Sequence, residues 1–525
     1  MTLTGWLLFF AIVQVIHFLG TWKLYVAAGR KAWEAGLPIY NAVILMKIIN
    51  RPWWWVILLF IPIVNLIMIP VVWVETIRSF GFNSPKDTFL VLITLGLYTY
   101  YINYTQKLEY IKDRDLKPRT STGEWVSSIL FAVVAATIVH TYFMQPFTIP
   151  SSSLEKTLLV GDYLFVSKFH YGARTPMTSV ALPMVHDTIP LARVKSYSDA
   201  PQYPYGRLPG VQKIKNNDIV VFGWPVDTLI DIRPGFMSGS VQKPIDKKSN
   251  YVKRCVGIPG DSLEIRDGFV YINGKKNELP DRAKLQFGYA FRMKQRFNPA
   301  YAVERLDITD IYPVGNPPNF TVFNGHMTEE AKEKLMQHPQ FDTIISMKNQ
   351  KGVWDENIFP YAPQYPWNND HFGPIYIPKA GATVDIDINS IPFYKRIIEV
   401  YEGSEMGIDN TVTQSGTQVL LNGQPLTQYT FKQDYYWMMG DNRHNSQDAR
   451  AWGYVPFNHV LGKPVFVWLS LDPNKSGLSK IRWDRMFTTV GGSGEPVSYL
   501  KYFLIALVGW FGFSFFRKKR KQKKA

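Results

Sequence analysis

The chain has 525 residues, of which 46% are hydrophobic and 15% aromatic, enough to fill a large core. Its net charge of +16 would suit a nucleic-acid-binding protein, but seven of the basic residues lie within residues 517–524, directly after an apolar run. That placement favours a cytoplasmic anchor on anionic lipid, with a nucleic-acid patch as the alternative. The one cysteine, Cys255, excludes an internal disulfide framework and is interpreted as a small buried hydrophobic residue rather than a nucleophile.

Several apolar runs approach the length of about 20 helical residues that a bilayer requires. They are residues 2–22, 52–74, 88–106, 125–143 and 497–516. The alternative for each run is a buried helix in a globular core. The first run lacks the basic start and the small-residue cleavage site of a secretory signal peptide, so we expect it to be retained.

Lysine and arginine are concentrated in residues 30–51, in residues 107–119 and in the C-terminal tail. Basic residues accumulate on the cytoplasmic side of membrane proteins. With five spans, this asymmetry predicts an external N-terminus and places residues 144–496 outside the cytoplasm.

After about residue 145 the sequence consists of short apolar runs separated by Gly, Pro and Asn, which predicts a mostly β exported domain of antiparallel sheets. Predicted strands cover residues 219–222, 262–265, 269–272, 419–426 and 464–471. The pair Asp267-Gly268 predicts a tight hairpin between the second and third of them. Residues 277–392 are rich in aromatic residues, Pro and Asn, and contain one predicted helix at 328–338.

The predicted organisation has a membrane part, an exported part and a tail. It comprises an N-terminal membrane module with about three spans (1–123), a transmembrane helix (124–144), the mostly β domain (145–276 and 393–490), an inserted subdomain of unknown role (277–392), a C-terminal transmembrane helix (497–516) and a basic cytoplasmic tail (517–525).

Three segments of the exported part carry candidate chemistry. Residues 145–168, QPFTIPSSSLEKTLLVGDYLFVSK, place three serines where the chain leaves the fourth run. Residues 251–265, YVKRCVGIPGDSLEI, place Lys253 in an apolar strand, where it is either exposed by alternation or buried and neutral, able to accept a proton. Residues 438–456, MMGDNRHNSQDARAWGYVP, hold charged residues between apolar flanks, which favours a packed loop over a solvated one.

Taken together, these segments resemble, in order and wording, the boxes of the bacterial type I signal peptidase (leader peptidase) family of Ser–Lys serine proteases. KRCVGIPGD and GDNRHNSQDARAWG are the most specific parts. The resemblance does not cover the first 120 residues or residues 277–392. It implies a multi-pass protein of the bacterial cytoplasmic membrane, with its catalytic domain on the extracytoplasmic side.

The resemblance also implies roles for individual residues. Ser153 matches the nucleophile and Lys253 the general base. The hydroxyl of Ser151 and the backbone N–H of Ser153 match the oxyanion hole. Ser446 matches a residue that hydrogen-bonds the lysine amine.

Further matches concern the surroundings of this site. Asp448 and Arg450 match a structural ion pair. The positions that line the substrate pockets are Phe147, Ile149, Leu154 and Val252. The family implies that substrate binds there as an added strand.

The sequence departs from the family pattern at four places. Leu154 replaces a usual Met, Lys156 stands where Pro is usual, and His444 and Ala449 replace Asp and Ser. Leucine keeps an apolar contact next to the nucleophile, and the other three positions lie off the proton-transfer path. Lys156 is expected to alter local rigidity.

The proposed chemistry needs a neutral lysine, although free lysine has a pKa of about 10.4. Burial would have to lower this pKa to about 7–8, which corresponds to about 4 kcal/mol of desolvation. No metal or cofactor is needed.

The expected substrates are signal-peptide-bearing preproteins, cut after small residues at an A-x-A-like site near the bilayer surface and the export machinery. Other hypotheses are a non-catalytic membrane scaffold and a peptidase of the same family with one dedicated substrate. A histidine-based or metal-dependent hydrolase has little support, because none of the nine histidines forms a pair at ligand spacing next to a glutamate.

Overall fold

The computed structural model describes residues 3–118, 120–192, 194–228, 242–315 and 320–522. They form two compact units. The first unit contains residues up to 143 together with residues 174–208, and the second contains the described remainder.

The first unit is helical. Its helices are α1 (Leu3–Ala27), α2 (Tyr40–Ile48), α3 (Trp55–Leu58), α4 (Val64–Arg78), α5 (Pro85–Ile93), α6 (Tyr98–Thr105) and α7 (Ser121–Ile138), which continues as a π-helical turn at Val139–Phe143. Their apolar residues suit a bilayer, where a helix satisfies its own backbone hydrogen bonds.

The second unit contains all the named strands and the remaining helices. The strands are β1 (Met144–Thr148), β2 (Asp162–Ser167), β3 (Ile219–Gly223), β4 (Asn250–Gly257), β5 (Ser262–Arg266), β6 (Phe269–Ile272), β7 (Lys275–Lys276), β8 (Phe287–Met293), β9 (Asp310–Val314), β10 (Val322–Met327), β11 (Phe341–Ser346), β12 (Phe372–Tyr376), β13 (Thr383–Asp385), β14 (Val412–Ser415), β15 (Gln418–Leu421), β16 (Gln424–Pro425), β17 (Gln428–Thr430), β18 (Tyr435–Met439), β19 (Val455–Pro456), β20 (Val460–Ser470) and β21 (Thr488–Thr489). The helices are α8 (Pro299–Arg305), α9 (Glu329–Met336), α10 (Ile391–Arg396), α11 (Ala449–Trp452) and α12 (Leu500–Gln522).

Three helices in the described parts of the chain are long and apolar enough to cross a membrane: Thr4–Ala27, Ser121–Phe143 and Leu500–Arg517. They correspond to the predicted runs 2–22, 125–143 and 497–516. The runs 52–74 and 88–106 do not form single helices, because each is interrupted near its middle, between α3 and α4 and between α5 and α6.

Local backbone chemistry explains the two interruptions. The first contains Pro62, which has no N–H to donate, and Ile63, which has a positive φ of 70°. The second contains Leu95 and Gly96, at φ 50° and 86°, a left-handed conformation that ends a helix. Apolar length alone did not reveal these breaks.

Residues 174–192 and 194–208 belong to the first unit and are joined by isolated bridges, among them those between Arg174 and Arg207 and between Thr178 and Gln202. Trp6 of α1 stacks on Tyr203 with ring centroids 4.6 Å apart. The sequence-based division placed this stretch in the exported β domain. The aromatic contact instead joins it to the helical unit.

An eight-stranded antiparallel sheet organises the second unit, in the order β1-β2-β20-β3-β4-β18-β19, with β21 paired to β20. β1 is an edge strand and β4 is central. The predicted strands at 219–222, 262–265 and 269–272 are confirmed as β3, β5 and β6. Asp267 and Gly268, both with positive φ, form the predicted hairpin turn.

Residues 287–315 and 320–346 form a four-stranded sheet in the order β11-β8-β10-β9, packed with α8 and α9. Its core includes Phe287, Phe291 and Phe323. Thr328 caps α9 through its hydroxyl, which confirms the helix predicted at 328–338. We call this sheet and its two helices the inserted subdomain.

The later part of the predicted insertion, after about residue 348, is not a separate body. β12 pairs with β5, and Phe372 and Ile375 pack in one core cluster with Trp437 of β18. Burial of these apolar side chains joins the segment to the sheet domain.

Candidate active site

The first component of the site is a serine-bearing turn between β1 and β2. Residues 151–156, here called the serine turn, include a single 3-10 turn at Ser152–Leu154. Ile149 and Leu154 are 3% and 1% exposed and hold the turn onto an apolar cluster. Ser153 is buried in this turn.

The second component is Lys253 in β4. Lys253 pairs with Val220 of β3 and is buried, with 3% of the residue exposed. The Nζ atom donates a hydrogen bond of 2.5 Å to Oγ of Ser153. Burial lowers the pKa of Lys253 from 10.5 to about 8, although the nearby carboxylate of Asp448 acts in the opposite direction. A substantial fraction of the amine is therefore neutral at pH values near 8.

The third component is the polar loop that follows β18. The backbone N–H of Asn442 donates to the carbonyl oxygen of Ser153 at 3.1 Å. A Cβ atom at Gly440 would lie 2.6 Å from that same carbonyl oxygen and would also collide with Ser446. Glycine at 440 is therefore required for the close approach of the loop to the serine turn.

Two buried ion pairs hold this loop. Arg450 binds Asp448 through Nε and Nη2, at 2.9 and 2.8 Å, and Asp448 also accepts the N–H of Gly440. Arg254 binds Asp441 through Nε and Nη2, both at 2.7 Å. Bidentate pairs of this kind fix the orientation of both partners.

The apolar residues beside the serine lie on adjoining surfaces. Ile149 and Leu154 belong to one buried cluster, against which Val252 packs. Val252 also packs, as Phe147 does, against a second cluster formed by Val166, Val221 and Leu461. Val252 is thus the residue common to both clusters, and the assignment of the four residues to substrate pockets stays a prediction.

Comparison with known proteins identifies the family of the chain. The family described as "Signal peptidase, peptidase S26" matches residues 122–309 and 381–469, which is just over half of the chain. The chain belongs to this signal peptidase family. Its function is that of a signal peptidase I, a membrane hydrolase that processes signal peptides.

Several signal peptidase I proteins are similar over most of their length. The protein of Rickettsia felis is 31% identical over 366 residues, covering 70% of this chain and 83% of the relative. That of Helicobacter pylori is 26% identical over 385 residues, covering 70% and 92%. That of Buchnera aphidicola (strain APS) is 24% identical over 366 residues, covering 69% and 79%.

A second match concerns the helical unit. Residues 33–113 match a family of unknown function, DUF5684. This region contains α2 to α6 and so includes both interrupted runs.

One of the predicted site residues does not make its predicted contact. The Ser446 hydroxyl is buried but has no hydrogen-bond partner among the described residues, so its predicted bond to Lys253 is not formed. Ser151 is exposed, and its side chain does not cap the turn that follows. Ser153 lies in the first turn of this short helix, where a backbone N–H has no acceptor inside the helix.

Sequence reasoning missed the connection made by Arg254, Asp441 and Thr157. The Thr157 hydroxyl donates to the Asp441 carboxylate at 2.7 Å. Because Thr157 directly follows the serine turn, this hydrogen bond links the buried ion pair to that turn. A signal was present, because Arg254 adjoins Lys253 and Asp441 lies in the polar segment. Their pairing across 187 positions, however, could not be read from either segment alone.

Proposed function

We propose that the chain is a serine endopeptidase in which Ser153 is the nucleophile and Lys253 is the general base. The observation that carries this proposal is the 2.5 Å hydrogen bond between the buried Lys253 amine and the Ser153 hydroxyl. A serine hydroxyl is a weak nucleophile unless a base removes its proton. Lowering the pKa of the lysine toward neutrality makes the amine available as that base.

In the first step, Oγ of Ser153 attacks the carbonyl carbon of the scissile bond while its proton moves to Nζ of Lys253. The resulting oxyanion accepts hydrogen bonds from the N–H of Ser153 and, after rotation, the hydroxyl of Ser151. Such a donor is worth about 3 to 4 kcal/mol in comparable sites. Lys253 then gives the proton to the leaving amine, and water hydrolyses the acyl-enzyme with the same amine as base.

The substrate of this reaction is an exported preprotein held in extended conformation. β1 is an edge strand whose second side is unpaired in the described sheet, so it can accept an added substrate strand. Phe147 and Val252 are half-buried and can contact that strand, whereas Ile149 and Leu154 are buried in the cluster against which Val252 packs. We expect this surface to favour small side chains at the residue before the cut.

The orientation of the chain follows from its spans and charges. The described parts of the chain have three candidate spans, where the sequence predicted five. Because two crossings fewer is an even change, residues 144–496 remain on the side of the membrane that the sequence predicted. The basic residues of 28–120 then all lie in one cytoplasmic segment, as the positive-inside rule requires. These spans and charges support the proposal that the catalytic domain lies outside the bacterial cytoplasmic membrane, where exported preproteins emerge from the export machinery.

The test is cleavage of a purified precursor by the purified full chain, with the cut site mapped by mass. Ser153→Ala should abolish cleavage because it removes the attacking oxygen. Ser415→Ala, which changes an exposed serine of β14, is the matched control and should cleave as the parent does. Normal cleavage by Ser153→Ala would eliminate Ser153 as the nucleophile.

A further inference from the structure

The serine turn ends in an unfavourable backbone conformation. Lys156 has a φ of +72°, in the left-handed region that residues other than glycine rarely adopt. The proline that is usual here in the family could not take this conformation, since its ring holds φ near −65°. The turn therefore depends on contacts from outside itself.

One of these contacts comes from Asp307 in the inserted subdomain. Its Oδ1 atom lies 2.6 Å from Nζ of Lys156. The lysine side chain is only 9% exposed, whereas the aspartate is 63% exposed. Because the lysine side chain is largely covered, the ion pair constrains Lys156 more than a pair between two exposed side chains would.

A second contact comes from Asp310, the first residue of β9. Its Oδ2 atom accepts hydrogen bonds from the side-chain amides of Asn442 and Asn445, at 2.8 and 3.0 Å. Asn445 also donates to Oγ of Ser152 at 2.9 Å. Asn442 donates to the backbone oxygens of Ser152 and Ser153, at 3.3 and 3.1 Å. One carboxylate thus orients both amides that touch the serine turn.

We propose that Asp307 and Asp310 are positioning residues, through which the inserted subdomain holds the Ser153 hydroxyl at the Lys253 amine. This inference rests on the proposed roles of Ser153 and Lys253. Both aspartates act through other residues, Asp307 through Lys156 and Asp310 through the two amides. A displacement of about 1 Å in a catalytic group can cost about 10²-fold in rate. The inserted subdomain is therefore part of what makes the site active.

The first experiment measures kcat, KM and their pH dependence for the full-length Asp310→Ala enzyme. We expect kcat to fall about 10- to 100-fold while KM changes less than about threefold, because the nucleophile is misplaced and the substrate surface is intact. The pH midpoint assigned to Lys253 should not move. Asp342→Asn, which breaks an ion pair with Arg292 within the same subdomain, is the control and should behave as the parent.

The second experiment reverses the charges of the ion pair between Lys156 and Asp307. Lys156→Asp should lower kcat about tenfold, and adding Asp307→Lys should restore at least half of the loss on a logarithmic scale. A double variant as slow as Lys156→Asp would overturn the role of Asp307. An Asp310→Ala enzyme with parental kcat would overturn the role of Asp310.

These outcomes are separable from failure of the proposed function. Cleavage by Ser153→Ala would refute the nucleophile itself, whereas an inactive Ser153→Ala together with normal Asp310→Ala and Lys156→Asp enzymes would refute only the positioning role. If Asp310→Ala lowers the thermal midpoint strongly, the isosteric Asp310→Asn takes its place, and parental kcat in that enzyme would overturn the role of Asp310.

Discussion

Two buried lysines, five positions apart, have different partners. Lys248, just before β4, is 5% exposed, and its amine lies 2.8 Å from the Glu405 carboxylate and 2.9 Å from the oxygen of Pro225. Lys253, within β4, is 3% exposed and contacts the hydroxyl of Ser153. No carboxylate in the described parts of the chain lies within 4.0 Å of its amine.

The comparison shows that burial alone does not make a lysine a base. A carboxylate at hydrogen-bond distance favours the charged ammonium and compensates its desolvation. A neutral hydroxyl gives no such compensation, so the pKa of Lys253 falls to about 8. The same residue type is therefore structural at 248 and suited to proton transfer at 253.

The largest expected effect is a difference in kcat/KM between variants of Lys253 and a variant of Lys248. Lys253→Arg should lower kcat/KM by about 10³-fold or more, as Lys253→Ala should, because a guanidinium stays protonated and cannot serve as a base. Lys248→Arg should stay within about threefold of the parent, because it keeps the charge opposite Glu405. Precursor cleavage by the three purified enzymes measures this difference, and substantial activity in Lys253→Arg would show that position 253 supplies only charge.

The second prediction concerns stability. Replacing each of the two lysines by methionine should change the free energy of unfolding in opposite directions. Lys253→Met should raise the free energy of unfolding by up to about 3 kcal/mol near pH 7, because a lysine whose pKa is lowered on folding opposes folding while it is protonated. Lys248→Met should lower it by about 1 to 3 kcal/mol, because Glu405 loses one buried partner and keeps the other, His459. Thermal unfolding of the purified full chain, followed by tryptophan fluorescence, tests both. Shifts of the same sign would mean that the two amines have equivalent environments.

A smaller effect is expected at Ser446. Its hydroxyl is buried without a partner, so Ser446→Ala should cost less than about tenfold in kcat/KM and should leave the pH midpoint unchanged. A loss as large as that of Lys253→Ala would indicate that Ser446 binds the amine during catalysis. Ser446→Thr serves as the control for the loss of the hydroxyl.

The fold was predictable where local chemistry determines it. The hairpin at Asp267-Gly268 and the helix capped by Thr328 depend on neighbouring residues, and both were found where expected. The two interrupted runs depend on backbone conformations at Ile63 and Leu95 that an apolar count cannot detect. The docking of residues 174–208 in the helical unit rests on a contact between Trp6 and Tyr203, which no short segment encodes.

The same contrast between local features and long-range contacts applies to the candidate site. Ser153 and Lys253 could be named because each lies in a segment with specific wording, and the structure places them in contact. Lys156, which stands where the family usually has Pro, pairs with Asp307 of the inserted subdomain, 151 positions away. Long-range pairs of this kind become visible only when the sheets are assembled.

The most direct test of the account is the pH dependence of kcat/KM for the full chain, with a precursor that has no titratable group near the cut. The proposal makes neutral Lys253 the active form, so kcat/KM should rise about tenfold per pH unit below the midpoint and level off above it. The midpoint should lie at about 8, the lowered pKa of Lys253. Lys248→Arg should keep the same curve. A flat profile between pH 6 and 9, or a midpoint near the ordinary lysine value of 10.5, would contradict a buried neutral lysine as the base.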